Sequence, residues 1–222
     1  MNNRLLAREC VAEFIGTFAL CFIGIGAIHH LGGVPGGLLG IALAHGLTIA
    51  VFASAFGAIS GGQFNPAVSF GLYVGGKLDL NKAVAYILAQ LAGAVAGAWF
   101  ARGLLGSVAA VSDGTPDLAG ATSAVQGVAI EAVLTFFLVT VIYGTAVDKR
   151  APQLGGLAIG LCVTLDILFG GPLTGAAMNP ARVFGPALIA HHWTNHFVYW
   201  AGPMLGGLLS GLVYGRFLIR EN

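Results

Sequence analysis

The tripeptide Asn-Pro-Ala occurs twice, at Asn65-Pro66-Ala67 and Asn179-Pro180-Ala181. Chance would produce two copies in about one chain in a thousand of this length at average residue usage, so the duplication calls for a physical reason. Each copy follows a run of glycine or small residues inside apolar sequence. Asparagine caps helix N-termini, and proline fits the first helical turn, where its missing N–H would have had no partner. Two helix starts in corresponding halves of an apolar chain point to a transport site near the membrane midplane.

The apolar setting is plain from composition. Of 222 residues, 57% are hydrophobic and 9% charged, against about 25% charged in a soluble domain. The mean hydropathy is +0.86. The chain therefore reads as an integral membrane protein. Its basic residues are dispersed, which excludes a nucleic-acid stripe. Cys10, Cys21 and Cys162 have no metal-ligand spacing, and no phosphate loop, nucleophile elbow or zinc signature occurs. No cofactor, resident metal or enzymatic chemistry is expected. The apolar stretch from Val11 to Ile28 has the length of a signal-peptide core, but further spans follow it, and it reads as a retained helix.

A helix needs about 20 apolar residues to cross the hydrocarbon core. Six stretches meet or approach that length, at roughly 9–29, 37–58, 82–103, 124–147, 154–170 and 196–219. Two shorter segments, roughly 66–75 and 180–189, each begin at an Asn-Pro-Ala and cover only about half of the core. The runs Ser60-Gly61-Gly62-Gln63-Phe64 and Gly170-Gly171-Pro172-Leu173-Thr174-Gly175 read as the re-entrant loops before them. The halves repeat, with offsets of 118 (Glu13 to Glu131), 119 (Gly36 to Gly155) and 114 residues (Asn65 to Asn179). Three spans per half makes the second copy inverted. The expected fold is an all-α membrane protein: six transmembrane helices plus two re-entrant half-helices in an inverted 3+3 repeat. A single domain covers 1–222, with repeats at approximately 5–103 and 124–220. Of the ten Lys and Arg residues, Arg4, Arg8, Lys77, Lys82, Lys149, Arg150, Arg216 and Arg220 share one side if both termini are cytoplasmic, which sets that orientation. Arg102 falls near an outer helix end. Glycines at four-residue spacing, such as Gly93/Gly97, Gly156/Gly160 and Gly202/Gly206, signal close helix packing.

Inversion brings the two short helices in from opposite faces, so their positive N-terminal ends meet near the centre. Each asparagine oxygen accepts from its own helix, leaving the NH₂ free to donate into a pore. A water there gives its oxygen to both amides and turns its hydrogens outward, while the helix ends repel protons and cations. Arg182 lies three residues beyond Asn179, at a depth where a charge costs at least about 2.5 kcal/mol, so it is expected to donate to permeating molecules and repel cations. Glu13 and Glu131 occupy matching buried positions and are assigned to bracing the exposed N–H groups of the loops. A proton relay would need a connected chain of titratable groups, and none is evident. His45 lies mid-span. Asp166 either bonds within the bundle or faces a subunit contact. His191, His192 and His196 read as a solvated outer turn in preference to a metal site.

Several of these features resemble the aquaporin, or major intrinsic protein, family. The resemblance rests on Ser60-Gly61-Gly62-Gln63-Phe64-Asn65-Pro66-Ala67-Val68, Met178-Asn179-Pro180-Ala181-Arg182, Glu13, Glu131 and Tyr199-Trp200, and spans the whole chain. It implies one pore per subunit, a homotetramer in lipid, and a cell-membrane location (plasma or inner) as a multi-pass protein. It also maps an outer filter to His45, Ile167, Ala176 and Arg182, a set similar to that of plant tonoplast intrinsic proteins, with His45 and Arg182 as donors to the pore. Val183 stands where glycerol facilitators carry Asp, which places the chain on the water-channel side. The implied function is a passive water channel that excludes ions and protons and passes some small neutral solutes. The alternative cargoes are ammonia, hydrogen peroxide, urea or glycerol. A secondary transporter would need a coupling-ion site, and no acidic cluster supplies one near Asn65 or Asn179. Gln63 replaces the commoner histidine before Phe64.

Overall fold

The computed structural model describes residues 3–219, so Arg220 of the basic set lies outside the described residues. Nine α-helices are present among them, and no strand. They are α1 (Asn3–Leu31), α2 (Gly37–Phe56), α3 (Pro66–Val74), α4 (Leu80–Leu105), α5 (Val108–Asp113), α6 (Ala124–Ile142), α7 (Gly155–Thr174), α8 (Pro180–Ala190) and α9 (Val198–Ser210). The fourth and sixth spans continue as π-helix, over Tyr143–Val147 and Gly211–Leu218.

Five helices are long and apolar enough to cross a membrane: α1, α2, α4, α6 with its π turn, and α7. The sixth crossing reaches that length only when α9 and its π segment are taken together. The two π segments meet, with the Tyr143 and Tyr214 rings stacked at 5.6 Å and 11°. The Tyr143 hydroxyl donates to Gly71 O at 2.9 Å. The wide turns thus end in a tertiary contact that satisfies a buried phenol.

One expected boundary is corrected. Gly170 to Thr174 belongs to α7, so the second re-entrant loop begins at Gly175 and not at Gly170. The run looked like a breaker because it holds Gly170, Gly171 and Pro172. Proline loses only its own N–H and need not end a helix near its last turn. The stop comes at Gly175, which takes the left-handed conformation (φ 80°) and donates its N–H to Gly171 O. The outer connection, expected as loop from 104 to 123, also holds the short helix α5.

Helix packing follows the glycine spacing. α1 lies on α4, α2 on α7 and α6 on α9. A Cβ at Gly93 would sit 2.3 Å from Phe14 O across the α1–α4 contact. One at Gly206 would sit 2.3 Å from Ala132 O across α6–α9. Only glycine lets these backbones come so close, and in lipid such close packing replaces the hydrophobic drive of water. Away from the centre, Lys82 pairs with the largely buried Glu9 at 2.8 Å, joining the starts of α1 and α4. After α6, Arg150 holds Asp148 at 2.6 Å and donates to Leu218 O at 3.1 Å, tying that loop to the end of the second π segment. The guanidinium keeps the Asp148 carboxyl well down, at about 2.

Candidate functional site

The N-termini of α3 and α8 meet in the middle of the bundle. Asn65 Oδ1 accepts from Ala67 N at 2.9 Å, and Asn179 Oδ1 accepts from Ala181 N at 3.0 Å and Arg182 N at 3.2 Å. The amide nitrogens are not wholly free, which corrects the simplest expectation. Asn65 Nδ2 donates across the junction to Met178 O at 2.8 Å, and Asn179 Nδ2 donates to Phe64 O at 2.9 Å. One N–H of each amide is spent on the opposite loop, leaving one for the cavity that both residues line. The crossed bonds depend on backbone geometry. Phe64 (φ 51°) and Met178 (φ 52°) both adopt the left-handed conformation, which costs a non-glycine residue roughly 1–2 kcal/mol. That conformation accompanies a carbonyl turned toward the other half.

Two carboxylates hold the loops. Glu13 accepts from Ser60 Oγ (2.6 Å), Gln63 N (3.0 Å), Phe64 N (2.6 Å) and Gln90 Nε2 (2.8 Å). Glu131 accepts from Thr174 Oγ1 (2.7 Å), Ala177 N (2.9 Å) and Met178 N (2.6 Å). Both carboxylates are fully buried. Tyr86 donates to Ser60 O and Tyr199 to Thr174 O, so each loop carries the same phenol anchor. Ser60, Thr174, Tyr86 and Gln90 were not singled out from the sequence. A legible signal existed: a hydroxyl residue followed by glycine stands five residues before each Asn, at Ser60-Gly61 and Thr174-Gly175.

The central cavity is narrow and brings together Asn65, Asn179, His45, Ile167, Ala176 and Arg182. Apolar side chains of several helices, including Leu20, Ile49, Leu138, Ile142, Ile159 and Val163, form much of the rest of its wall, and Gln63 also lines it. Arg182 is 5% exposed, donates to Gly114 O at 2.8 Å and reaches His45 Nε2 at 3.4 Å. His45 Nδ1 lies 2.8 Å from Ile41 O. A carbonyl can only accept, so Nδ1 carries the proton and Nε2 presents its lone pair to the guanidinium. His45 is therefore an acceptor toward Arg182, where the resemblance implied a donor to the pore.

Two partners in this corner had no sequence signal. Gly114 lies in the outer connection. Gly24 backs the imidazole, and a Cβ there would sit 2.5 Å from His45 Nε2. Gly24→Ala is expected to push the ring into the cavity or off Arg182, at a strain of about 1–3 kcal/mol. The check is osmotic water permeability of the purified variant, which should fall severalfold while the fold, read by circular dichroism, is kept.

An outer cap joins the connection to the turn after α8. Asp117 accepts from Leu118 N (2.7 Å), His192 Nε2 (2.8 Å) and Asn195 Nδ2 (2.9 Å). Partial burial pushes the Asp117 carboxyl up, but the bonds from Asn195, His192 and Leu118 outweigh it and hold the group below its ordinary value. The turn is thus pinned and not simply solvated. His196 accepts from Trp200 Nε1 at 3.0 Å. Among the described residues no group of three or more His, Cys, Asp or Glu is placed to hold a metal. Asp166 is buried and accepts from Cys162 Sγ at 3.5 Å within its own helix, the first of its two expected settings.

A bundle of apolar crossing helices with two half-helices meeting over a central cavity is the architecture of a membrane channel. The chain belongs to the major intrinsic protein family, whose profile matches residues 1–214. It is 44% identical to aquaporin TIP4-4 of Zea mays, covering 97% of this chain and 88% of that protein. It is 43% identical to the lens fiber major intrinsic protein of Lithobates pipiens, covering 95% and 81% respectively. Its fold superposes on the aquaglyceroporin of Plasmodium falciparum with a TM-score of 0.84 at 26% identity, covering 96% of this chain and 97% of that one.

Proposed function

We propose that this chain is a passive channel that conducts water, admits small neutral solutes and excludes ions and protons. The observation that carries this reading is the crossed pair Asn65–Met178 and Asn179–Phe64. Each bond fixes one amide N–H on the opposite loop, so the remaining N–H of each asparagine has a fixed direction at the meeting of two positive helix ends. A water there accepts from both amides with its hydrogens turned outward, and this breaks a one-way proton relay. His45, Ile167, Ala176 and Arg182 form the selectivity filter, with Arg182 as its fixed positive charge. Glu13 and Glu131 brace the loops. The relatives named aquaporins support the water reading.

A second reading concerns cargo. Ile167 and Ala176 line the same cavity as Arg182 and add apolar surface to it, which favours passage of ammonia, urea, glycerol or hydrogen peroxide beside water. We further infer a homotetramer, supported by family membership, with both termini cytoplasmic, supported by the distribution of Lys and Arg.

Stopped-flow light scattering on proteoliposomes separates the cargoes. Fast shrinkage in impermeant osmolyte with ammonia entry at the bare-lipid rate, read by an internal pH dye, is the result for a water-selective pore. Ammonia entry well above bare lipid supports the broader filter. Water flux no faster than bare lipid refutes the channel reading.

A further inference from the structure

Gln63 lines the cavity two residues before Asn65. Its loop returns from the C-terminal end of α2, whereas His45 sits in that helix's N-terminal half, so Gln63 lies across the asparagine junction from His45. Its side-chain orientation is set by a directed chain of hydrogen bonds that begins at Glu13. A carboxylate taking four donors acts only as an acceptor. Gln90 must therefore turn its NH₂ to Glu13 Oε2, at 2.8 Å, even though this leaves Gln90 Oε1 buried with no partner among the described residues. The same nitrogen donates to Ser69 Oγ at 3.0 Å. With its oxygen accepting there, Ser69 sends its single proton to Gln63 Oε1 at 2.6 Å. The Gln63 carbonyl is then committed, and its amide nitrogen is left to the cavity.

The second half of the chain has no counterpart. Ala177 stands two residues before Asn179, and its methyl group can neither donate nor accept. Among the described residues, Glu131 receives only Thr174 and two backbone N–H groups. A Cβ at Gly202 would sit 2.7 Å from Glu131 Cβ, which marks how closely α9 crowds this carboxylate.

We propose that Gln63 is a specificity-determining residue of the pore. It acts as a donor-only contact for the oxygen of a passing water or other acceptor-bearing solute, held in one orientation by the positioning residues Ser69 and Gln90. The inference rests on the channel reading above. It adds a donor for the passing oxygen beyond those of Arg182 and the asparagine junction.

The test is a double-mutant cycle in proteoliposomes at matched protein density, with water permeability and its activation energy as readouts. Gln63→Leu is expected to lower permeability about three- to tenfold, the loss of one hydrogen bond, and to raise the activation energy. Ser69→Ala frees the amide to rotate and is expected to lower permeability about two- to threefold. Combined with Gln63→Leu, it should change nothing further, because it acts only through Gln63. Gln63→Met repeats the test with an unbranched side chain should leucine not be accommodated. Wild-type permeability in Gln63→Leu and Gln63→Met overturns the proposal. So does an equal Ser69→Ala loss in both backgrounds, which makes Ser69 a packing residue. A wild-type protein with no flux above bare lipid refutes instead the channel reading on which the proposal stands.

Discussion

Arg182→Val is expected to open the pore to protons while leaving water flux within about twofold of wild type. The guanidinium is fixed by Gly114 O and His45 Nε2 and is almost wholly buried, so little bulk water screens it. A unit charge about 7 Å away, at an effective dielectric near 20, is repelled by about 2 kcal/mol, or about thirtyfold in entry. Removing the guanidinium also leaves Gly114 O without its donor, which loosens the outer connection over the filter. The check is the decay of an imposed pH gradient in voltage-clamped proteoliposomes. Proton entry unchanged from wild type would remove Arg182 from the exclusion mechanism and leave the helix ends and crossed asparagines to carry it.

Glu131→Ala is the second large effect, and it falls on stability. It leaves Thr174 Oγ1, Ala177 N and Met178 N buried without their acceptor. At about 1–3 kcal/mol for each unsatisfied group, the loss is roughly 3–9 kcal/mol, comparable with the whole stability of many folded domains. The variant is expected to yield little folded protein, with a strongly lowered thermal midpoint in detergent. Thr174→Val removes one of the three donors and should cost about 1 kcal/mol, with the loop retained. A Glu131→Ala midpoint within a few degrees of wild type would mean that the second loop is held by its packing and the Tyr199 anchor, not by the carboxylate.

The two effects differ in how far the sequence could foresee them. Asn65 and Asn179 are readable as helix caps because capping is local: the oxygen bonds its own chain two or three residues on. Arg182 is conspicuous because a charge in an apolar segment is costly wherever its partners lie. Gly114 is invisible by the same logic. It serves through its carbonyl, which every residue has, and it lies 68 residues from the arginine it holds. Gln90 and Ser69 are ordinary polar residues in a helix until Glu13 and Gln63 are brought beside them. The helix runs on through Pro172 because glycine and proline mark only a tendency to break, whereas the stop itself needs the left-handed turn at Gly175.

Apolar length, the doubled Asn-Pro-Ala and the uneven spread of Lys and Arg determined a membrane chain of crossing helices with two interrupted ones. Each of these is a property of a short segment and its solvent, so the sequence alone could decide it. The tertiary structure decided which carbonyl each asparagine amide meets and which face of Gln63 looks into the cavity. It also decided that His45 accepts where a donor was expected. Those outcomes turn on atoms that sequence places far apart. Their energies are set by whether a buried donor finds an acceptor, and only the assembled bundle supplies or withholds that partner.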